Sequence, residues 1–158
     1  MTHKELIQKL KPTTKLKIKG EKYTVVQHIV WHQAIAGYPY DKYVLEDETG
    51  YQDYRLFVSG KDAAMGMGKI FHHDFEEPLP KELDWKGKKY KQVNSEFCTI
   101  IDLEGEDGPY KAGESEFWWD YDSETGKESL SLGRSWETWE REDLETEYLK
   151  MDDIELLE

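Results

Sequence analysis

One cysteine in 158 residues, Cys98, leaves no partner for an internal disulfide and no Cys pair for a zinc knuckle. No apolar run reaches the roughly 18 residues that a membrane-crossing helix needs, and Met1-Thr2-His3-Lys4-Glu5 lacks the apolar core of a signal peptide. The expected compartment is the cytoplasm, with no membrane insertion. Basic residues are scarce: 21 against 34 acidic ones give a net charge of −13, which repels phosphate backbones and excludes general nucleic-acid binding. What the chain has instead is aromatic mass. Six Trp, ten Tyr and five Phe make up 13% of it, and each ring can bury about 150–250 Å². That is enough to exclude disorder despite 35% charged residues. Packing alone has to hold one domain, spanning 1–158.

The strongest internal signal is a phrase that occurs twice. Ile18-Lys19-Gly20-Glu21-Lys22-Tyr23-Thr24-Val25-Val26 returns as Trp85-Lys86-Gly87-Lys88-Lys89-Tyr90-Lys91-Gln92-Val93, with Gly, Tyr and Val each displaced by 67 positions. Glu48-Thr49-Gly50 returns as Glu124-Thr125-Gly126, displaced by 76, so the second copy carries about nine more residues, a length suited to a loop. Around these turns the chain alternates and is rich in β-branched and aromatic residues. Leu16 and Ile18 lead into Tyr23 to Trp31, Tyr43-Val44-Leu45 pairs with Tyr54 to Val58, and Phe117 to Tyr121 pairs with Leu130-Ser131-Leu132.

Leu6, Ile7 and Leu10 share a helical face ahead of Pro12, which predicts a short N-terminal helix. Ser59 to Gly68, with Gly66-Met67-Gly68, reads as a flexible connection between halves, too glycine-rich for a stable helix and too irregular for a central strand. Beyond Trp136, a helical face (Trp136, Trp139, Asp143-Leu144) competes with the alternation of Ile154-Glu155-Leu156, and a short terminal strand is favoured. The prediction is an all-β, mainly antiparallel domain. It forms a sandwich or partly open barrel of two pseudo-repeated units, about 15–60 and 82–136, with an acidic C-terminal segment over 137–158.

The order of these elements resembles a bacterial family recorded as domain of unknown function 4178. The resemblance rests on Gly20, Tyr23-Thr24-Val25-Val26, Tyr43-Val44-Leu45-Glu46-Asp47 and Gly50, then on Gly87, Tyr90, Val93, Phe117-Trp118-Trp119-Asp120-Tyr121 and Leu130-Ser131-Leu132. It covers roughly Lys15 to Leu156. Such members read acidic-Arg-Trp after the Leu-Ser strand, whereas this chain has Gly133-Arg134-Ser135-Trp136, an extra residue that implies a bulge or a shifted register. The resemblance implies a compact β-rich domain and brings no reaction, cofactor or catalytic residue with it.

Candidate chemistry is thin. His72-His73-Asp74 with Glu76 and Glu77 is the densest set of potential metal ligands, but adjacent strand residues point to opposite faces, and the segment reads as a polar loop before Pro78. His28 and His32 share a strand face about 13 Å apart, at roughly 3.3 Å per residue, too far for one ion. Gly66-Met67-Gly68-Lys69 lacks the spacing and the Ser/Thr of a phosphate loop. Asp120, Asp122 and Glu124 start like a calcium loop, but Thr125 stands where glycine is needed and Ser131 where a bidentate Glu is needed. Cys98, between Phe97 and Thr99-Ile100-Ile101, reads as a buried packing thiol. No metal or cofactor is expected, and no catalytic residue is assigned.

The functional lead is aromatic. Trp118, Trp119, Trp136 and Trp139 are candidate contact residues, with one of the adjacent pair in the core and the other outward. The charge is polarised as well: residues 1–22 sum to +5 and residues 137–158 to −8. Together these predict a non-enzymatic interaction or scaffold module whose partner is another protein. The alternative is a small ligand-binding domain or enzyme with a site between the two halves near His72 and His73.

Overall fold

In the computed structural model, which describes residues 1–59 and 64–157, alternation dominates from Lys15 onward and the chain is all-β and antiparallel. Helix α1 (His3–Lys9) precedes β1 (Lys15–Ile18), β2 (Glu21–Gln33), β3 (Pro39–Asp47), β4 (Tyr54–Val58) and β5 (Met65–Ile70). Then come β6 (Glu82–Trp85), β7 (Lys88–Glu104), β8 (Ser115–Ser123), β9 (Glu128–Ser135), β10 (Arg141–Tyr148) and β11 (Ile154–Leu157). Among the described residues no helix is long and apolar enough to cross a membrane.

The sheet closes. β2, β3, β4, β5, β10, β9, β8 and β7 are paired in that order, and β7 returns to β2 by the register His28↔Glu104 to Gln33↔Cys98. The result is a closed eight-stranded barrel, which corrects the expected sandwich or partly open barrel. The reason lies in the two longest strands. β2 and β7 each carry a bulge, at Val26 and Val93, and a bulge bends a strand and increases its twist. Before its bulge each strand pairs with a short outer strand, β1 or β6; beyond it the two pair with one another, which removes both sheet edges. Both outer hairpins turn through a left-handed pair, Lys19-Gly20 (φ 50° and 85°) and Lys86-Gly87 (φ 49° and 76°), the type I′ geometry that suits two-residue hairpins.

Two layers cover the outside of the barrel. Thr2 caps α1 by accepting the Glu5 N–H at 3.1 Å. The helix then lays Leu6, with Leu10 just beyond it, on Tyr43, Leu45, Leu56 and Met67, the outward residues of β3 to β5. On the other side the β5–β6 connection packs Phe71, Phe75 and Leu79 over Tyr121, Leu130 and Leu132, the outward residues of β8 and β9. With these residues facing out, period 2 sends their neighbours inward. Ile29, Trp31, Val44, Cys98, Trp118 and Leu144, from five different strands, accordingly meet in one interior cluster.

Two segments differ from expectation. Residues 60–63 of the predicted Ser59–Gly68 connection lie outside the described residues, but Met65–Ile70 is a central barrel strand, paired with both β4 and β10. Its glycines permit close approach rather than flexibility: a Cβ on Gly68 would stand 2.9 Å from Thr146 Cγ2 and 3.0 Å from Leu144 Cβ. The acidic segment 137–158 supplies a whole barrel strand, β10, besides the expected terminal strand β11, which pairs with β1. Interior crowding is equally tight at Gly133, where a Cβ would lie 2.6 Å from the Trp118 ring.

Candidate functional site

The two ends of the barrel are unlike. At one end the β7–β8 loop folds back over the opening. Buried Gln27 holds it by donating to the Gly105 and Tyr110 carbonyls at 3.0 and 2.9 Å and accepting the Tyr110 N–H at 3.0 Å. Tyr110 thereby enters the interior and plugs that end. The other end, formed by the close of β2, β4, β8 and β10 and the start of β3, β5, β7 and β9, holds a cavity of about 340 Å³. Phe57, Cys98 and Trp118 form apolar wall deep in it, Asp120 and Ser131 add polar groups, and Val93 stands at the mouth.

Beneath the cavity lies a buried ionic cluster. The Lys42 side chain is 0% exposed. Its ammonium stands 4.1 Å from the Trp118 ring centroid, 5.0 Å from Tyr110, 5.4 Å from Phe57 and 5.6 Å from Trp31, within reach of cation–π attraction to each. It sits 3.6 Å from Glu142 Oε1 and donates to no described residue. Burial lowers its pKa, and the charge of Glu142 opposes that. Glu142 is the hub: Arg55 Nε donates to it at 2.6 Å and the Tyr110 hydroxyl donates to its other oxygen. Nearby Glu116 has an oxygen without a described partner. Its pKa is pushed up to about 8, first by burial and then by the Glu142 charge.

Cys98 is 1% exposed, and burial, with the neighbouring Glu96 charge, pushes its thiol from 9.0 up to about 12. Only the thiolate reacts. Alkylation of the native protein by iodoacetamide at pH 8 is therefore expected to be about 10³-fold slower than that of a free thiol, and to recover in denaturant. Mass spectrometry of quenched aliquots measures this; native labelling as fast as unfolded labelling would contradict it.

The predicted contact residues divide. Trp118 is inside the barrel and part of the cavity wall, while Trp119 is on the outer face, half-buried and stacked on Phe117 at 6.1 Å. Trp136 and Trp139 are 53% and 58% exposed and adjacent, with ring centroids 6.0 Å apart. Trp136 also meets Phe117 edge-on at 5.7 Å. His72 is exposed. His73 is instead buried against Asp143 at 2.8 Å, on the outer layer, and its ring stacks on Phe75. Neither histidine lines the cavity. Among the described residues no three His, Cys, Asp or Glu side chains gather into a metal-holding group. His28 meets two carboxylates on the outer wall, Asp41 at 2.5 Å and Glu104 at 3.6 Å.

The interior residues Lys42, Arg55, Glu116 and Glu142 escaped the sequence reading. One local signal was available: Glu116, Trp118, Asp120 and Asp122 share the parity of β8, opposite Phe117, Trp119 and Tyr121. Neither face is a simple solvated one, as expected of a strand covered on both sides.

A family model described as Domain of unknown function (DUF4178) matches residues 11–151, nearly the whole chain. No curated protein and no solved structure matches.

Proposed function

We propose that this chain, which belongs to the DUF4178 family, is a barrel that binds a small molecule in its open end. The observation that carries the proposal is the cavity of about 340 Å³ inside a closed barrel whose other end is plugged by Tyr110. Its size, its largely apolar wall and its few polar groups are those of ligand sites, which run about 300–1,000 Å³. The site lies within the barrel, away from His72 and His73. Ser131 donates to Asp120 at 2.5 Å in it, but no described histidine or lysine lines it to serve as a general base, and the Cys98 thiol is disfavoured as a thiolate. The reading is therefore of binding rather than of a covalent reaction.

A second reading, a scaffold that docks a protein, is supported by the exposed pair Trp136 and Trp139. Arg134 lies over the latter ring at 5.7 Å, and Trp139 is held at φ 62°, an unfavourable conformation for a bulky residue. The two readings separate in one fragment screen by ligand-observed NMR. Fragments that bind the native protein should be lost in Val93→Trp, which blocks the mouth from a residue 58% exposed, and retained in Trp136→Ala/Trp139→Ala. An empty screen, or hits indifferent to Val93→Trp, would overturn the cavity reading.

The proposal has a further part: β1–β4 and β6–β9 are pseudo-repeated halves. Support comes from the two left-handed Lys-Gly turns and from the bulges at Val26 and Val93, the last matched residue of each phrase.

A further inference from the structure

Resting on the cavity reading, we infer that the ligand is a small organic ammonium, held by Asp120 among aromatic rings. The barrel interior already contains one ammonium in such a setting. Lys42 lies among four rings, with Glu142 as its counter-charge, in the layer just below the cavity. The cavity layer shares two of those rings, Phe57 and Trp118, with Lys42 and adds three tyrosines. Tyr38, Tyr40, Phe57, Trp118 and Tyr148 contribute rings, and no described Lys, Arg or His lines it.

The four carboxylates at the cavity are not equivalent. Glu96 accepts the Ile35 and Ala36 N–H groups at 2.6 and 2.9 Å. Glu147 pairs with Lys19 at 3.2 Å on the surface, and Asp122 accepts the Tyr148 hydroxyl at 3.3 Å. Asp120 is half-buried and differs from these. Its donors are neutral, Ser131 Oγ at 2.5 Å and Asn94 Nδ2 at 3.4 Å, and among the described residues it has no ion-pair partner. Burial raises its pKa, a cost to the ionised form that a cation beside it would offset. Cation–π attraction to the tyrosine faces favours an alkylated nitrogen.

The test uses choline and 3,3-dimethylbutan-1-ol, which has the same shape with carbon in place of the charged nitrogen. Calorimetry gives the affinity, and ¹H–¹⁵N shifts of the Cys98 amide and Trp118 indole give the place. Choline is expected to bind at least about 10-fold more tightly than the alcohol. Asp120→Asn, which still accepts from Ser131, should weaken choline by about 10-fold or more and leave the alcohol unchanged. Equal binding of the two probes, or an indifferent Asp120→Asn, overturns the ammonium assignment. If neither probe binds while fragments blocked by Val93→Trp do, the assignment falls and the cavity reading stands. If nothing binds, both fall.

Discussion

Glu142→Gln is expected to destabilise the barrel by about 3–5 kcal/mol, whereas Lys42→Met, at a residue buried more completely, should cost less than about 1 kcal/mol or stabilise. The asymmetry follows from what each change leaves behind. Without the Glu142 charge, two cations, Lys42 and Arg55, stay buried with no anion beside them, and an uncompensated buried charge costs several kcal/mol. Without the Lys42 ammonium, Glu142 keeps Arg55 Nε at 2.6 Å and the Tyr110 hydroxyl. The lost group had no described hydrogen-bond partner, and methionine fills the same aromatic box without desolvating a charge. Lys42→Met placed in the Glu142→Gln background should therefore restore part of the lost stability, a coupling that a double-mutant cycle by urea unfolding measures directly. Loss of as much stability in Lys42→Met as in Glu142→Gln would show that the ammonium is a net stabiliser and would sink the argument. The acid limb gives a further check. Burial works against the Glu142 carboxylate, but Lys42, Arg55 and the Tyr110 hydrogen bond hold its pKa down to about 2, against 4.5 in the unfolded chain. Its stabilisation is thus present above pH 4.5 and is lost as pH falls toward 2, a limb that Glu142→Gln should lack.

These residues also show what was legible in the sequence. Hairpins were, because their chemistry is local. Lys19-Gly20 and Lys86-Gly87 supply the left-handed pair a two-residue turn demands, and alternating apolar residues mark the strands on either side. The burial of Cys98 was legible for the same reason. Closure was not. The pairings of β2 with β7 and β5 with β10 join segments 65 or more residues apart, and no local pattern specifies them. Glycine misled at Gly66 and Gly68, where low strand propensity was offset by the close approach of Leu144 and Thr146. Charge misled at Glu142-Asp143, which reads as solvated acid until closure brings up Arg55, Lys42 and His73. The opposite facing of Trp118 and Trp119 follows from strand parity alone, but which of them entered the core depended on which face of β8 turned toward the barrel axis.

Glu116→Gln should stabilise the protein, and by an amount that grows with pH. Burial first, and then the charge of Glu142, raise the Glu116 pKa to about 8 against the opposing pull of Lys42, from 4.5 in the unfolded chain. Below pH 4.5 the carboxyl is protonated in both states, its stabilising contribution is fully present, and the variant should match the native chain. Between pH 4.5 and 8 the unfolded chain has released this proton while the barrel retains it, so unfolding becomes easier with rising pH by about 1.4 kcal/mol per unit. Glutamine, neutral throughout, escapes that loss. The variant's advantage should therefore open above pH 4.5, reach on the order of 4 kcal/mol near pH 8, and then level off. Urea midpoints of both proteins from pH 4 to 9 trace the curve. An ionised Glu116 paired with Lys42 predicts the reverse, a variant less stable at every pH above 4.5, because removing one member of a buried pair strands the other. The sign of one difference at pH 8 decides between a barrel floor with Glu142 as the only anion beside Lys42 and Arg55 and one with two anions. That choice sets the field beneath the cavity. With Glu116 protonated, Lys42 and Arg55 outweigh Glu142 and the floor is positive. A cation would then be held at the level of Asp120 rather than drawn down to Trp118.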